Sequence, residues 1–367
     1  MTSGVFDPSA PAGERPARPL RNRERHVTDY AELSKQVMAA GLLQRRLGWY
    51  WTYGLLLLGA FVALWVGVVL LGDSWLQLGL AALMAVVLSQ LTFLGHDTAH
   101  RQVFASHAWN EWTSRLIGGV VTGLSYAWWS SKHNRHHSGP NQLGRDPDIE
   151  SAVLAFSDEA AEGRTGLAAW WTRHQGWAFF PLLLLEGVNL HAAGVRTLLT
   201  RREARHRRLE LTLVLSRLTA YVVVLAVVLP PLKAVAFAAV QLGLFGVLMG
   251  ASFAPNHKGM PIVPRSMNVD FLRRQVLMSR NVRGGLLTDF AMGGLNYQVE
   301  HHLFPSMPRP NLRRAQPLVR RFCEERGVAY TEAGMLESYG IVVRYLNSVG
   351  LGARDPFTCP LASSLRG

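Results

Sequence analysis

Residues 53–72 read YGLLLLGAFVALWVGVVLLG, twenty positions without a single charge. As a helix such a run rises about 30 Å, the thickness of the hydrocarbon core of a bilayer. Residues 75–95, WLQLGLAALMAVVLSQLTFLG, repeat the pattern over 21 positions, across a turn at Gly72-Asp73-Ser74. Either run alone also suits a buried helix of a soluble protein, but two joined by so short a turn read as a transmembrane hairpin. A second pair lies at about 211–231 and 234–254, joined by Pro230-Pro231-Leu232-Lys233. Arg217 falls near the start of the third run, where its guanidinium can snorkel to the interface. The expectation is an all-α integral membrane protein with four spans in two hairpins.

The basic residues sort by this topology. The chain has 367 residues, 17% of them charged and 49% hydrophobic, with a formal net charge of +13. Two hairpins put both termini and the long central segment on one side. That side carries 36 of the 38 Lys and Arg residues, as 8 in residues 1–48, 13 in 96–210 and 15 beyond 254. The positive-inside rule makes that face cytoplasmic, with both termini on it, in a cell membrane. Topology thus accounts for a basic excess that otherwise suggests nucleic acid. Clusters such as Arg201-Arg202 and Arg205 to Arg208 suit lipid headgroups.

One membrane domain is expected over 29–345. It is flanked by a Pro- and Arg-rich disordered tail at 1–28, without a signal-peptide pattern, and by a tail at 346–367. Residues 30–47 look like an amphipathic helix. Two weaker apolar stretches, about 116–129 and 177–195, are short or interrupted by Pro181, Glu186 and His191, and read as interfacial or re-entrant helices. The two cysteines, Cys323 and Cys359, form neither a CxxC pair nor a disulfide framework.

All 13 histidines lie on the expected cytoplasmic side, eight of them beside the ends of apolar segments. His96 and His100 form HDTAH directly after the second span, and i, i+4 spacing on a continuing helix places both on one face. His133, His136 and His137 form HNRHH. His301 and His302 close QVEHH, with Gln298 three residues before. His257 follows the fourth span. A solitary histidine is usually a satisfied structural residue, and His107, His174 and His191 are read that way, while His26 and His206 lie in basic stretches. Three clusters on one side of a membrane are hard to explain by packing. Imidazole suits Fe, Zn, Cu and Ni, and eight rings exceed what one ion uses, so two ions are the natural count. No cysteine lies near them, which disfavours an iron–sulfur cluster or a structural zinc site. The spans carry no facing histidines for haem. Asp97, Asp146, Asp148 and Glu300 can accept the second ring N–H of a ligand imidazole. The spans hold almost no ionisable residues, which disfavours a transporter.

HDTAH, HNRHH and QVEHH resemble the three histidine boxes of membrane fatty-acid desaturases. GGLNYQVEHHLFPSMPRPNL, residues 293–312, is similar to the third box of the front-end and acyl-lipid branch, which has Gln where other members have the box's first His. NQLGRDPDIE, residues 141–150, resembles the segment that follows the second box. The likeness runs from about residue 50 to 325, and the overall look is similar to actinobacterial acyl-CoA or acyl-lipid desaturases.

This resemblance implies a cytoplasmic helical cap holding two irons on His96, His100, His133, His136, His137, His257, His301 and His302. It puts Gln298 at a ligand position of the box, where direct, water-mediated and no coordination all stay open. It implies O2 as cosubstrate, two externally supplied electrons, and a cis double bond in a long-chain acyl group carried as acyl-CoA or acyl-lipid. The chain lacks the HPGG haem motif of a fused cytochrome b5 domain, so a separate donor, a ferredoxin or a flavin-containing reductase, is expected. Trp128, Trp129, Trp170, Trp171 and Trp177 are candidates for the wall of an acyl tunnel or for the interfacial belt. The rival reading keeps the metal and changes the product, as a histidine-box hydroxylase or ketolase acting on a lipid, alkane or carotenoid.

Overall fold

The computed structural model describes residues 20–349. In chain order the helices are α1 Leu20–Ala39, α2 Leu47–Leu71, α3 Gln77–Ala99, α4 His107–Leu116, α5 Tyr126–Ser138, α6 Asp158–Ala161, α7 Gly166–Thr200, α8 Arg207–Val228, α9 Pro231–His257, α10 Phe271–Leu277, α11 Leu286–Ala291, α12 Gln298–Leu303, α13 Arg309–Glu325 and α14 Met335–Ser348. A π-helical turn, Ile117–Thr122, follows α4. Two three-residue strands, β1 Asn281–Arg283 and β2 Glu332–Gly334, pair in parallel, with Arg283 opposite Gly334. The expected tails at 1–28 and 346–367 lie for the most part outside the described residues. Where they do not, helix replaces them: α1 begins at Leu20 and α14 ends at Ser348.

The hairpins form as their composition dictates. Much of α2 is apolar and exposed, including Leu55, Leu56, Val62, Val66 and Leu70, a surface that lipid satisfies and water does not. The α2–α3 turn is closed by Gln77, whose Nε2 donates to Val68 O at 2.8 Å and Gly72 O at 2.9 Å. The α8–α9 turn meets it through an ion pair between Lys233 and Asp73. Both turns therefore sit at one end of the bundle. The histidine-bearing ends of α3 and α9 sit at the other.

Two expectations change. Residues 116–129 are not one helix: α4 passes into the π-helical turn and the chain breaks before α5. The stretch 177–195 lies inside the 35-residue helix α7, so five helices rather than four are long and apolar enough to cross a membrane. Pro181 does not end α7, because packing against α9 holds it through the missing hydrogen bond. Gly187 and Gly246 permit that approach. A Cβ on Gly187 would stand 2.2 Å from Leu242 O, and one on Gly246 2.3 Å from Leu183 O, the small-residue contact by which membrane helices approach closely. Both ends of α7 meet histidine-side elements. Gly176 N donates to Asn347 Oδ1 of α14, and Gly194 abuts Ser125, the residue before α5.

Beyond α9 the chain forms a further packed cluster, which carries α12 and its histidines. Its core joins α1, α10, α12 and α13 through Leu33, Val37, Leu272, Val276, Val299, Leu303, Val319 and Phe322.

Candidate metal centre

The four histidine segments converge. His96 and His100 end α3; His133, His136 and His137 line one face of α5; His257 ends α9; His301 and His302 lie on α12. The ring nitrogens of His96, His100, His133 and His301 form one group, and those of His136, His257 and His302 form another, each within 4.8 Å. His137 stands between them, its Nε2 3.0 Å from that of His133 and 3.1 Å from that of His301, its ring stacked on His302. His100 and His133 bring their Nε2 atoms to 2.8 Å, His136 and His257 to 3.2 Å. Two nitrogens on one first-row ion, each about 2.1 Å from it, lie roughly 3.0–3.4 Å apart. The buried Nε2 atoms of His96 and His302 have no hydrogen-bond partner. Unpartnered inward lone pairs at these spacings, in an all-imidazole set, fit two iron ions.

Local structure delivers the rings. α12 follows Gly293 and Gly294, both at positive φ, and a Cβ on Gly293 would stand 2.2 Å from the Phe93 ring of α3. Only glycine allows that approach and that backbone. The start of α5 is pinned by buried Glu210 of α8, whose carboxylate accepts from Ser125 Oγ at 2.9 Å, Ala127 N at 3.1 Å and Arg115 Nε at 2.8 Å. A carboxylate at a helix N-terminus also complements the helix dipole.

Behind the rings stand partners for Nδ1. His136 bonds Asp146 at 3.0 Å, and Asp146 also accepts from Asn141 N and Asp148 N. His257 Nδ1 donates to Met278 O at 2.9 Å. His302 Nδ1 donates to Gln275 Oε1 at 2.9 Å, while Gln275 Nε2 donates to His137 O. Such bonds fix the tautomer that turns Nε2 to the metal. Burial first, and neighbouring imidazoles second, hold His133, His137, His301 and His302 well below their ordinary pKa, so they stay neutral, as ligands must be. Burial also lowers His136, but the Asp146 carboxylate outweighs it and the net shift is upward.

The remaining sequence candidates separate. Gln298 is in the pocket, its amide nitrogen 2.9 Å from His257 Nε2 and its oxygen accepting from Asn256 Nδ2 at 3.0 Å. Asp97 lies 3.5 Å from His96 Nδ1 and pairs with buried Arg309 at 2.7 Å. Glu300 faces away from the rings, accepting from Tyr330 Oη at 2.6 Å and Asn281 Nδ2 at 2.8 Å. Burial pushes its carboxyl up to about 7. His174 and His191 bond backbone carbonyls outside the cluster, and exposed His107 opens α4. Of the tryptophans, Trp129 stacks on His133 at 4.4 Å and lines, with His96, Thr92, Ile117, Thr122 and Leu124, a narrow, mostly apolar cavity beside the rings. Trp170 and Trp177 are exposed on α7, Trp171 bonds Val153 O, and Trp128 lies near Lys132. Glu210, Gln275 and Asn256 carry no sequence signal of these roles, apart from Asn256 preceding His257.

Comparison with known proteins agrees with this geometry. The family model described as fatty acid desaturase matches residues 73–334. The chain is 27% identical over 341 residues to a Delta(8)-fatty-acid desaturase of Helianthus annuus, covering 89% of this chain and 74% of that protein. It is 32% identical over 285 residues to an acyl-lipid (9-3)-desaturase of Physcomitrium patens, covering 75% of this chain and 54% of that protein. It is 27% identical over 345 residues to the fatty acid desaturase 2-like protein FADS2B of Mus musculus, covering 91% and 69%. With histidine clusters compatible with a di-iron site, and a family match over most of its length, the chain belongs to the fatty acid desaturase family and is an oxidoreductase.

Proposed function

We propose that the protein introduces a cis double bond into a long-chain acyl group, carried as acyl-CoA or acyl-lipid, with O2 as cosubstrate and electrons from an external donor, a ferredoxin or a flavin-containing reductase. The carrying observation is the convergence of eight imidazoles beside an apolar cavity that His96 and Trp129 themselves line. The two irons would be held by His96, His100, His133, His136, His137, His257, His301 and His302, and when bound they supply the O2 chemistry that side chains lack for attack on an alkyl C–H bond. The protein's part is positional. Trp129, Ile117 and Leu124 would exclude water and flank the chain beside the rings. Asp146, Gln275 and the Met278 carbonyl hold ring orientation. Gln298 either ligates or orients its neighbours.

The histidine side is read as cytoplasmic, in a cell membrane. The support is the concentration of Lys and Arg on that side and the position of both hairpin turns at the opposite end, tied by Asp73 and Lys233. With both ends of α7 on the histidine side, two hairpins keep both termini there. Exposed arginines on that face suit an acidic donor.

The test is a fatty-acid methyl-ester profile of bacteria expressing the chain with a ferredoxin system, against His136→Ala. A new alkene absent from the control is expected and gives its own position. A hydroxylated chain without alkene would move the protein to the hydroxylase reading.

A further inference from the structure

We propose a second lipid site, separate from the metal-side cavity: a ledge formed by α11 and the start of α14 dips into the bilayer and takes one hydrocarbon chain of a membrane phospholipid. The proposal rests on the membrane reading above and not on the identity of the reaction.

A cavity of ≈ 390 Å³ opens between α7, α9, α11 and α14, lined by Phe180, Val247, Ala251, Met292, Ser252 and Tyr339 among others. It shares no lining residue with the cavity beside His96 and Trp129. Ser252 and Tyr339 carry the only side-chain oxygens in its wall, and both are engaged. Ser252 Oγ bonds Leu248 O at 2.6 Å and Ala291 O at 3.2 Å, and Tyr339 Oη donates to Ala251 O at 3.2 Å. Both hydroxyl protons are spent on backbone carbonyls, which leaves no side-chain donor for a headgroup phosphate in an otherwise hydrocarbon wall, so the chemistry favours plain hydrocarbon.

The rim says which hydrocarbon. Leu286, Leu287 and Leu336 are 77%, 80% and 84% exposed and lie outside the five candidate spans. The β1–β2 pairing, with Arg283 opposite Gly334, sets the starts of α11 and α14 side by side, so these leucines form one patch. The patch continues the lipid-facing surface of the spans. Phe180 lies one turn from exposed Leu184 on α7, and Val247 one turn from exposed Leu244 on α9. Beyond the patch, exposed Arg283 lies 3.7 Å from Glu337, where a water-facing rim begins. The ledge therefore stands at bilayer depth, and a neighbouring lipid tail is the occupant already at hand. Met292, in the cavity wall, precedes the Gly293-Gly294 turn into α12, so an occupied cavity braces the segment that delivers His301 and His302.

The experiment uses the full chain in phosphatidylcholine vesicles containing a phosphatidylcholine with a photoreactive diazirine near the end of one acyl chain. After irradiation, peptides are mapped for label. Label is expected on residues 286–292 and 335–339 as well as on the exposed face of α2, and Ala251→Trp, which fills the cavity, is expected to lower it about tenfold at Met292 while leaving α2 unchanged. Label on α2 with none on the ledge overturns the proposal, and so does ledge label indifferent to Ala251→Trp. In case the tryptophan variant does not fold, a nitroxide at Leu287→Cys, with both native cysteines replaced by Ala, reads the same question. Greater accessibility to oxygen than to a water-soluble nickel chelate supports the ledge. Protection from both, as a second copy or a protein partner would give, overturns it. Neither readout uses turnover, so a hydroxylase would pass both, whereas failure of α2 to label would strike at the membrane reading itself.

Discussion

The two histidine groups differ in how they are held. In the group of His136, His257 and His302 every Nδ1 has a partner: Asp146, the Met278 carbonyl and Gln275. In the group of His96, His100, His133 and His301 the bracing is thin. His301 Nδ1 is buried without a partner, and Asp97 stands 3.5 Å from His96 Nδ1 while committed to Arg309. The thinly braced group faces the cavity, with Trp129 stacked on His133. The braced side is thus fixed from behind by hydrogen bonds, whereas the cavity side relies on packing, which leaves its rings less constrained.

Four substitutions and one control probe this contrast. The largest effect is expected from His301→Ala, which removes a proposed ligand in the thinly braced group: product formation is abolished while the chain still accumulates in membranes, and full activity would strike His301 from the proposed ligand set. Next, Asp146→Asn is expected to weaken iron binding about 10–100-fold, read by chelator competition, because it loosens His136. Asp97→Asn tests the other side. It leaves Arg309 buried without its charge partner and is expected to cost about 3–5 kcal/mol in stability, with iron affinity of the folded protein little changed; an equal loss of affinity in both variants would erase the asymmetry. Gln275→Leu, which frees both His302 Nδ1 and the His137 carbonyl, should lower iron affinity about tenfold or less. His174→Ala, remote from both groups, should leave iron content and product unchanged.

What was legible in the sequence follows from what each feature depends on. The apolar helices and the eight histidines depend on local pattern, charge-free runs and helical spacing, which the sequence displays directly. The continuity of α7 is not displayed, because Pro181, Glu186 and His191 look like interruptions until Gly187 and Gly246 let α9 pack against them. Asp146 closely follows the second cluster in sequence, which makes it a candidate partner of the rings, and it bonds His136. Glu300 shows the opposite: neighbouring His301 in sequence, it faces Tyr330 and Asn281 instead. Gln275 and Glu210 act only through tertiary contacts across more than twenty residues, and no spacing announces them.

The scatter of the proposed ligands also sets a timetable for synthesis. The nitrogens come from four segments between residues 96 and 302, and each group draws one member from α12, His301 for the first and His302 for the second. A ribosome that has completed both hairpins has still made neither group whole. Neither proposed iron site can therefore be complete until α12 is made and the Gly293-Gly294 turn, seated against Phe93, sets it in place. A chain interrupted before that point lacks His301 and His302, and with them one member of each group.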